Sequence, residues 1–199
     1  VDADAPAALE RHHVLCCGFP HVDAAAVEAA LPGSRCTKVA DASAEGMAAH
    51  YTDTVLACID ILRDMIRGKP QGRCLLQVAV ADDDSGALLE GLAGLIETAT
   101  LENPLVAGQL LFVPADTVAT TLADRLRAEC SRPRSRLVRW TADGRQVRHW
   151  RFLDDDRDAG RVPCAYREHG VYLITGGLGG LGRLIAADIL ASTTAARVV

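Results

Sequence analysis

The sequence predicts an α/β protein: a doubly wound parallel sheet closed by a β-hairpin, followed by the first β-α-β of a second sheet of the same kind. Three observations carry this expectation. Strand-like and helix-like runs alternate four times between residues 13 and 130. Two strand-like runs around an Asp-Gly pair come next, and beyond a charged stretch one more strand runs directly into a glycine-rich loop. A parallel pair needs a crossover of about a dozen residues or more, usually a helix. Repeated strand–helix units therefore imply parallel strands with helices on both faces.

The first strand is the apolar run His13-Val14-Leu15-Cys16-Cys17, closed by Gly18-Phe19-Pro20. Asp23 is placed to cap a short helix over Ala24–Leu31, which Pro32-Gly33 ends. Cys36–Ala40 reads as the second strand. A long amphipathic helix follows over Ala44–Arg67, with Met47, Tyr51, Val55, Ile59, Leu62 and Ile66 spaced to share one face. Gly68-Lys69-Pro70 stops it. Arg73–Val80 (RCLLQVAV) reads as a fully buried strand, and an acidic turn leads from it into a helix over about Ala87–Glu102. Val106–Val113 (VAGQLLFV) is the fourth strand, and Asp116 or Thr117 is placed to cap a helix reaching Cys130. Ser135–Trp140 and Gln146–Phe152 then flank Thr141–Arg145, whose Asp143-Gly144 pair signals a hairpin. The polar stretch from Leu153 to Gly160 reads as a domain boundary.

The chain has 199 residues, a formal net charge of -5 and 49% hydrophobic residues, which suits a globular α/β protein. Mild acidity argues against nucleic-acid binding, so the arginines alternating with tryptophan in the hairpin read as a charged edge rather than a nucleic-acid surface. No apolar run approaches the roughly 20 residues of a membrane span, and the first residues lack the basic start and apolar core of a signal peptide. The seven cysteines form no C-x-x-C pair and several lie in apolar runs. They read as packed, reduced thiols of a cytoplasmic protein. A metal site on His12, His13, Cys16 and Cys17 is disfavoured, because adjacent strand residues point to opposite faces.

The sharpest motif lies near the C-terminus. The strand Val171–Thr175 leads into Gly176-Gly177-Leu178-Gly179-Gly180-Leu181-Gly182, then a helix over Arg183–Ala191, and Arg197–Val199 begins another strand. Strand, glycine loop and helix in that order form the dinucleotide-binding context. Glycines let the backbone approach a pyrophosphate, and the helix N-terminus offers it unpaired N–H groups. Two spacings fit: Gly177, Gly179 and Gly182 as G-x-G-x-x-G, or Thr175, Gly176, Gly180 and Gly182 as T-G-x-x-x-G-x-G, the pattern of short-chain dehydrogenases/reductases. A turn that serves only close helix–strand packing would need fewer glycines.

The string GVYLITGGLGGLG (170–182) closely resembles the opening of the catalytic subdomain in modular polyketide synthase ketoreductases. GLAGLIETATLENP (91–104) and the hairpin LVRWTADGRQVRHWRFL (137–153) are similar to parts of the truncated Rossmann-like half that precedes it in that family. The resemblance implies a division into a linker at 1–11, a cofactor-free structural subdomain at 12–153, a second linker at 154–169, and the start of the NADPH-binding subdomain at 170–199. Gly18-Phe19-Pro20-His21-Val22-Asp23 after the first strand agrees, since it offers no glycine cradle and adds an acidic group.

The activity implied is NADPH-dependent reduction of a β-ketoacyl thioester on an acyl carrier protein. The partners implied are the remaining catalytic subdomain, the carrier protein and neighbouring synthase domains. Only Thr175, Gly176, Gly177, Leu178, Gly179, Gly180, Leu181 and Gly182 match the family's site. Tyrosines occur only at 51, 166 and 172, none with Lys or Asn four positions on, so no catalytic residue carries over and the chain alone is expected to be inactive. A non-catalytic scaffold segment of a synthase and a stand-alone nucleotide-binding module are the competing expectations.

Overall fold

The computed structural model describes residues 9–39, 46–132, 135–149, 151 and 166–199. Most of the two expected linkers, the expected helix start at Ala44, Phe152 and Cys164 lie outside them. The chain forms two compact units, Val1–His149 and Trp150–Val199.

The first unit runs β1 (Leu9–Cys17), α1 (Ala24–Ala30), β2 (Ser34–Lys38), α2 (Met47–Arg67), β3 (Arg73–Ala81), α3 (Asp84–Ala87), a 3-10 turn (Leu88–Gly91), α4 (Leu92–Glu102), β4 (Val106–Val113), α5 (Ala119–Cys130), β5 (Leu137–Thr141) and β6 (Gly144–Val147). Its sheet has the order β2-β1-β3-β4-β5-β6. Every neighbouring pair is parallel except β5 with β6. This is the doubly wound, Rossmann-like arrangement expected. The winding reverses between β1 and β3, which makes that pair the topological switch point.

Alternation along the central strands builds two cores. Leu15, Cys17, Leu76, Val78, Leu110 and Phe112 pack with Cys58, Leu62 and Ile96 from α2 and α4. Val14, Cys16, Ala79, Ala81, Leu111 and Val113 pack with Val27, Leu122 and Leu126 from α1 and α5. Cys16 and Cys17 thus enter different cores, as a strand period of two requires.

The α1/α5 face also holds a polar ladder across three strands. Gln77 on β3 lies opposite Val14 on β1 and Gln109 on β4. His12 Nε2 lies 2.8 Å from Gln77 Oε1. Gln77 Nε2 donates to Gln109 Oε1 (2.8 Å) and to the Leu126 carbonyl (3.0 Å). Both amide hydrogens of Gln77 are then used, so its oxygen is an acceptor and His12 carries its proton on Nε2. Gln109 Nε2 faces the carbonyls of Glu129, Arg132 and Ser135. Those carbonyls end α5 and begin the chain into β5, so the ladder fixes where the hairpin joins the sheet.

Local details depart from expectation for identifiable reasons. The buried line of α2 is His50, Thr54, Cys58, Leu62 and Met65, while Met47 and Tyr51 are exposed. The small residues Thr54 and Cys58 let the helix approach the sheet, and the Thr54 hydroxyl is satisfied by the His50 carbonyl at 2.8 Å. Asp23 stands at the N-cap of α1 without a side-chain cap bond. The N-cap of α5 is Val118, not Asp116 or Thr117, and Thr117 Oγ1 instead accepts from Arg125. The segment expected as one helix from Ala87 is divided into α3, the 3-10 turn and α4 from Leu92, and the Asp83 carboxylate caps α3 by accepting from Gly86 N at 2.7 Å.

In the hairpin, Thr141 pairs with Gly144, so Ala142 and Asp143 form the turn and Gly144, at φ +114°, opens the return strand. Four of the hairpin arginines are paired: Arg136 with Glu97, Arg139 with Asp82, Arg145 with Glu129, and Arg148 with Glu90. Glu129 is fully buried and meets Arg145 through two bonds of 2.6 and 2.7 Å.

The second unit contains β7 (Val171–Tyr172), the helix α6 (Gly180–Ser192) and β8 (Arg197–Val198), with β7 and β8 parallel. Pairing extends past the regular strands, because Ile174 N donates to the Val199 carbonyl at 2.9 Å. No helix among the described residues is long and apolar enough to cross a membrane.

Candidate functional site

The glycine loop of the second unit is built by two constrained positions. Gly176 has φ +75°, a left-handed conformation that favours glycine. This turns the chain back so that Gly179 N donates to the Gly176 carbonyl at 2.9 Å. Gly179 is the N-cap of α6, extended at φ -73° and ψ 167°, with no side-chain cap bond. The helix therefore begins at Gly180, three residues before the expected Arg183, and Gly180 and Gly182 form its first turn.

Gly182 packs against the loop it follows. A Cβ there would lie 2.6 Å from both the Gly176 carbonyl oxygen and Gly177 Cα, so any side chain would force the loop open. A Cβ on Gly180 meets nothing within 4 Å. The required glycines are 176 and 182, both in the T-G-x-x-x-G-x-G spacing, and Gly180 keeps open space between them.

The leading N–H groups of α6 have no carbonyl partner within the helix. Their peptide dipoles give this end a partial positive charge, and the first turn carries no acidic side chain to cancel it. Thr175, Gly176, Gly179 and Gly180 are exposed, as are Leu178 and Leu181. The arrangement suits a small anion approached by backbone.

One feature of this unit was not anticipated from the sequence. The Glu168 carboxylate accepts from Thr194 N, Thr194 Oγ1 and Ala195 N at 3.0–3.1 Å, tying the start of β7 to the turn after α6. The Thr194 backbone bond, with further help from these neighbours, holds its carboxyl below the ordinary value. Tyr166 donates to Asp188 on α6 at 2.9 Å, and the Tyr172 hydroxyl accepts from Arg167 N at 2.6 Å. A lone Glu before a strand carries no signal of its own, since its partners come from a turn 26 residues away.

The equivalent position in the first unit, past the end of β1 at the switch point, is filled. Phe19 is 1% exposed and packs in the core with Cys16, Val22 and Ala81. Asp23 and the seven-residue α1 follow directly. A cavity of about 530 Å³ lies instead at the opposite ends of β1 and β2, lined by Arg11, His12, His13, Arg35 and Asp64 among others. His12 turns to Gln77 while His13 Nε2 lies 2.8 Å from Thr37 Oγ1. With Cys16 and Cys17 in separate cores, these four side chains diverge.

No family model matches the chain. It is 38% identical over 183 residues to polyketide synthase ThaG of Burkholderia thailandensis, 33% over 158 residues to polyketide synthase PksL of Bacillus subtilis, and 29% over 181 residues to PksN of the same organism. These alignments cover 75–90% of this chain, which spans about 3% of the length of each synthase. Among solved structures it superposes on a ketoreductase domain from the bacillaene assembly line with a TM-score of 0.80 at 24% identity, over 98% of this chain and 45% of that one. A C2-type ketoreductase from a modular polyketide synthase gives 0.52 at 16% identity, over 96% and 56%.

Proposed function

We propose that this chain, a relative of polyketide synthases with the fold of their ketoreductase domains, supplies two parts of such a domain: a bracing half that binds no cofactor and the phosphate loop of the NADPH-binding half. Residues 12–153 are the brace and residues 170–199 open the catalytic half, with 154–169 between them. The observation that carries this reading is the contrast at the two strand ends. One holds a glycine loop that admits no side chain at Gly182, under a helix end with free N–H groups. At the other, Phe19 is buried where a pyrophosphate would have to lie.

Thr175, Gly176, Gly177, Leu178, Gly179, Gly180, Leu181 and Gly182 would hold the cofactor's pyrophosphate. Bound there, NADPH supplies the hydride that turns a β-ketoacyl thioester on an acyl carrier protein into its β-hydroxy form. The loop's task is positional: it anchors one end of the cofactor by backbone donors fixed before binding. None of the three tyrosines, 51, 166 and 172, stands four positions before a Lys or Asn, so on this reading the proton for the ketone comes from a residue outside this chain. The brace acts through the sheet that Gln77, Gln109 and the Glu129–Arg145 pair tie to the closing hairpin. The six described cysteines are unpaired, which suits a cytoplasmic synthase.

The test is NADPH titration, by cofactor fluorescence, of this chain and of a longer segment of its synthase that includes the rest of the reductase. The longer segment should bind and the Gly182→Val form of it should not. This chain alone should give no saturation at micromolar concentration, because a phosphate loop without the adenine and nicotinamide pockets lacks most of the binding energy. Saturable binding by the 199-residue chain itself would favour the stand-alone module. A folded longer segment indifferent to NADPH would leave only the scaffold reading.

A further inference from the structure

Four of the six described thiols are packing groups. Burial pushes Cys17 and Cys58 up to about 12, and raises Cys74 and Cys130 as well. The other two behave differently because they meet. Cys16 on β1 and Cys36 on β2 place their sulfurs 3.6 Å apart in hydrogen-bond contact, the one such sulfur pair among the described residues. Cys16 is buried and Cys36 is half-buried, on a strand at the edge of the sheet.

We propose that Cys16 and Cys36 form an oxidation site, a dithiol that hydrogen peroxide converts to a reversible cross-strand disulfide. This stands on different observations from the ketoreductase reading and does not depend on it.

Roles within the pair follow from position. The hydrogen bond from Cys16 holds the Cys36 thiol below its ordinary value, while the same bond and burial push Cys16 well up. Cys36 is the nucleophile and Cys16 the resolving thiol. The Cys36 thiolate attacks one peroxide oxygen, breaking the O–O bond, becoming a sulfenic acid and releasing hydroxide. Cys16 sulfur then displaces the second hydroxide from Cys36 sulfur, and the two thiol protons complete two waters. Two thiols lose two electrons and the peroxide gains them.

Reversibility follows from the register. Val14, not Cys16, lies opposite Cys36, so the bridge runs diagonally to the next same-face position on β1. Two residues along a strand add about 6.6 Å to the roughly 4.8 Å between strands, so such diagonal Cα atoms lie about 8 Å apart, beyond what a relaxed disulfide spans. The bond therefore requires β2 to shift, which an edge strand with one partner allows. A strained bridge is readily reduced.

The experiment treats the full chain carrying Cys164→Ser, so that every remaining cysteine is a described one, with hydrogen peroxide. Intact mass, thiol alkylation after denaturation and peptide mapping are then measured. The expected result is loss of two hydrogens, a fall from six alkylated thiols to four, a Cys16–Cys36 cross-linked peptide, and full recovery with glutathione. Adding Cys36→Ser should abolish the cross-link, with folding checked by circular dichroism. A disulfide between any other pair would overturn the proposal. So would Cys36 carried to sulfinic acid with Cys16 still free, or six thiols surviving peroxide that oxidises free cysteine in the same tube.

Discussion

Replacing Gln109 by Leu should cost the first unit about 3–4 kcal/mol, and the figure can be built from its contacts. Gln109 is fully buried. Its amide has two hydrogens shared among three carbonyls at 3.0–3.2 Å, and its oxygen accepts one bond from Gln77. Leucine has nearly the same size but removes three bonds' worth of pairing, each about 1 kcal/mol net. It also strands one N–H of Gln77 and carbonyls at the end of α5, adding roughly 1–3 kcal/mol, part of which the apolar side chain recovers. With a slope of about 1.5–2 kcal/mol per molar for a unit of this size, the urea midpoint should fall by about 2 M. Hydrogen exchange should speed first in 135–147, because the lost carbonyl contacts lead into β5. Urea unfolding followed by far-UV circular dichroism measures the shift. A loss below about 1 kcal/mol would refute the ladder as the hairpin's anchor, since it would mean the bonds are exchanged for water without cost.

The remaining expectations concern the loop and two titrating groups. Gly182→Ala should destabilise the second unit because its Cβ meets loop backbone at 2.6 Å, whereas Gly180→Ala, in open space, should be neutral or stabilise the helix by about 0.5–1 kcal/mol; amide exchange within α6 of each variant tells them apart. Burial holds His12 below its ordinary 6.5 in the folded state, so the unfolded chain binds the proton more readily and stability should fall as pH drops below about 6.5. His12→Gln should flatten that slope in urea midpoints measured against pH, unless His13, lowered mainly by burial too, supplies all of it. Glu168 is held below its ordinary 4.5, so its contribution is present above that pH and is lost as pH falls through the folded value. Glu168→Gln should raise amide exchange at Thr194 and Ala195 at neutral pH.

The cores and the loop were largely legible. RCLLQVAV and VAGQLLFV read as buried strands and are buried strands, and the glycines after β7 read as a tight strand-to-helix loop, which is what they form. A signal was present for the polar ladder too, one glutamine in each of two otherwise apolar strands, but its meaning required the register that sets Gln77 beside Gln109. The face of α2 was misjudged because periodicity marks an apolar stripe without saying how closely the helix sits. Thr54 and Cys58 face the sheet because they are small.

By itself the sequence determined the alternation of strands and helices, the absence of a glycine cradle after β1 and its presence after β7, because these depend on local backbone chemistry and period. Tertiary structure alone decided the strand order, the burial of Phe19, the clamp of Glu168 on Thr194 and the meeting of Cys16 with Cys36. Each of those joins residues distant in the chain, and no local preference encodes which distant partner a side chain will find.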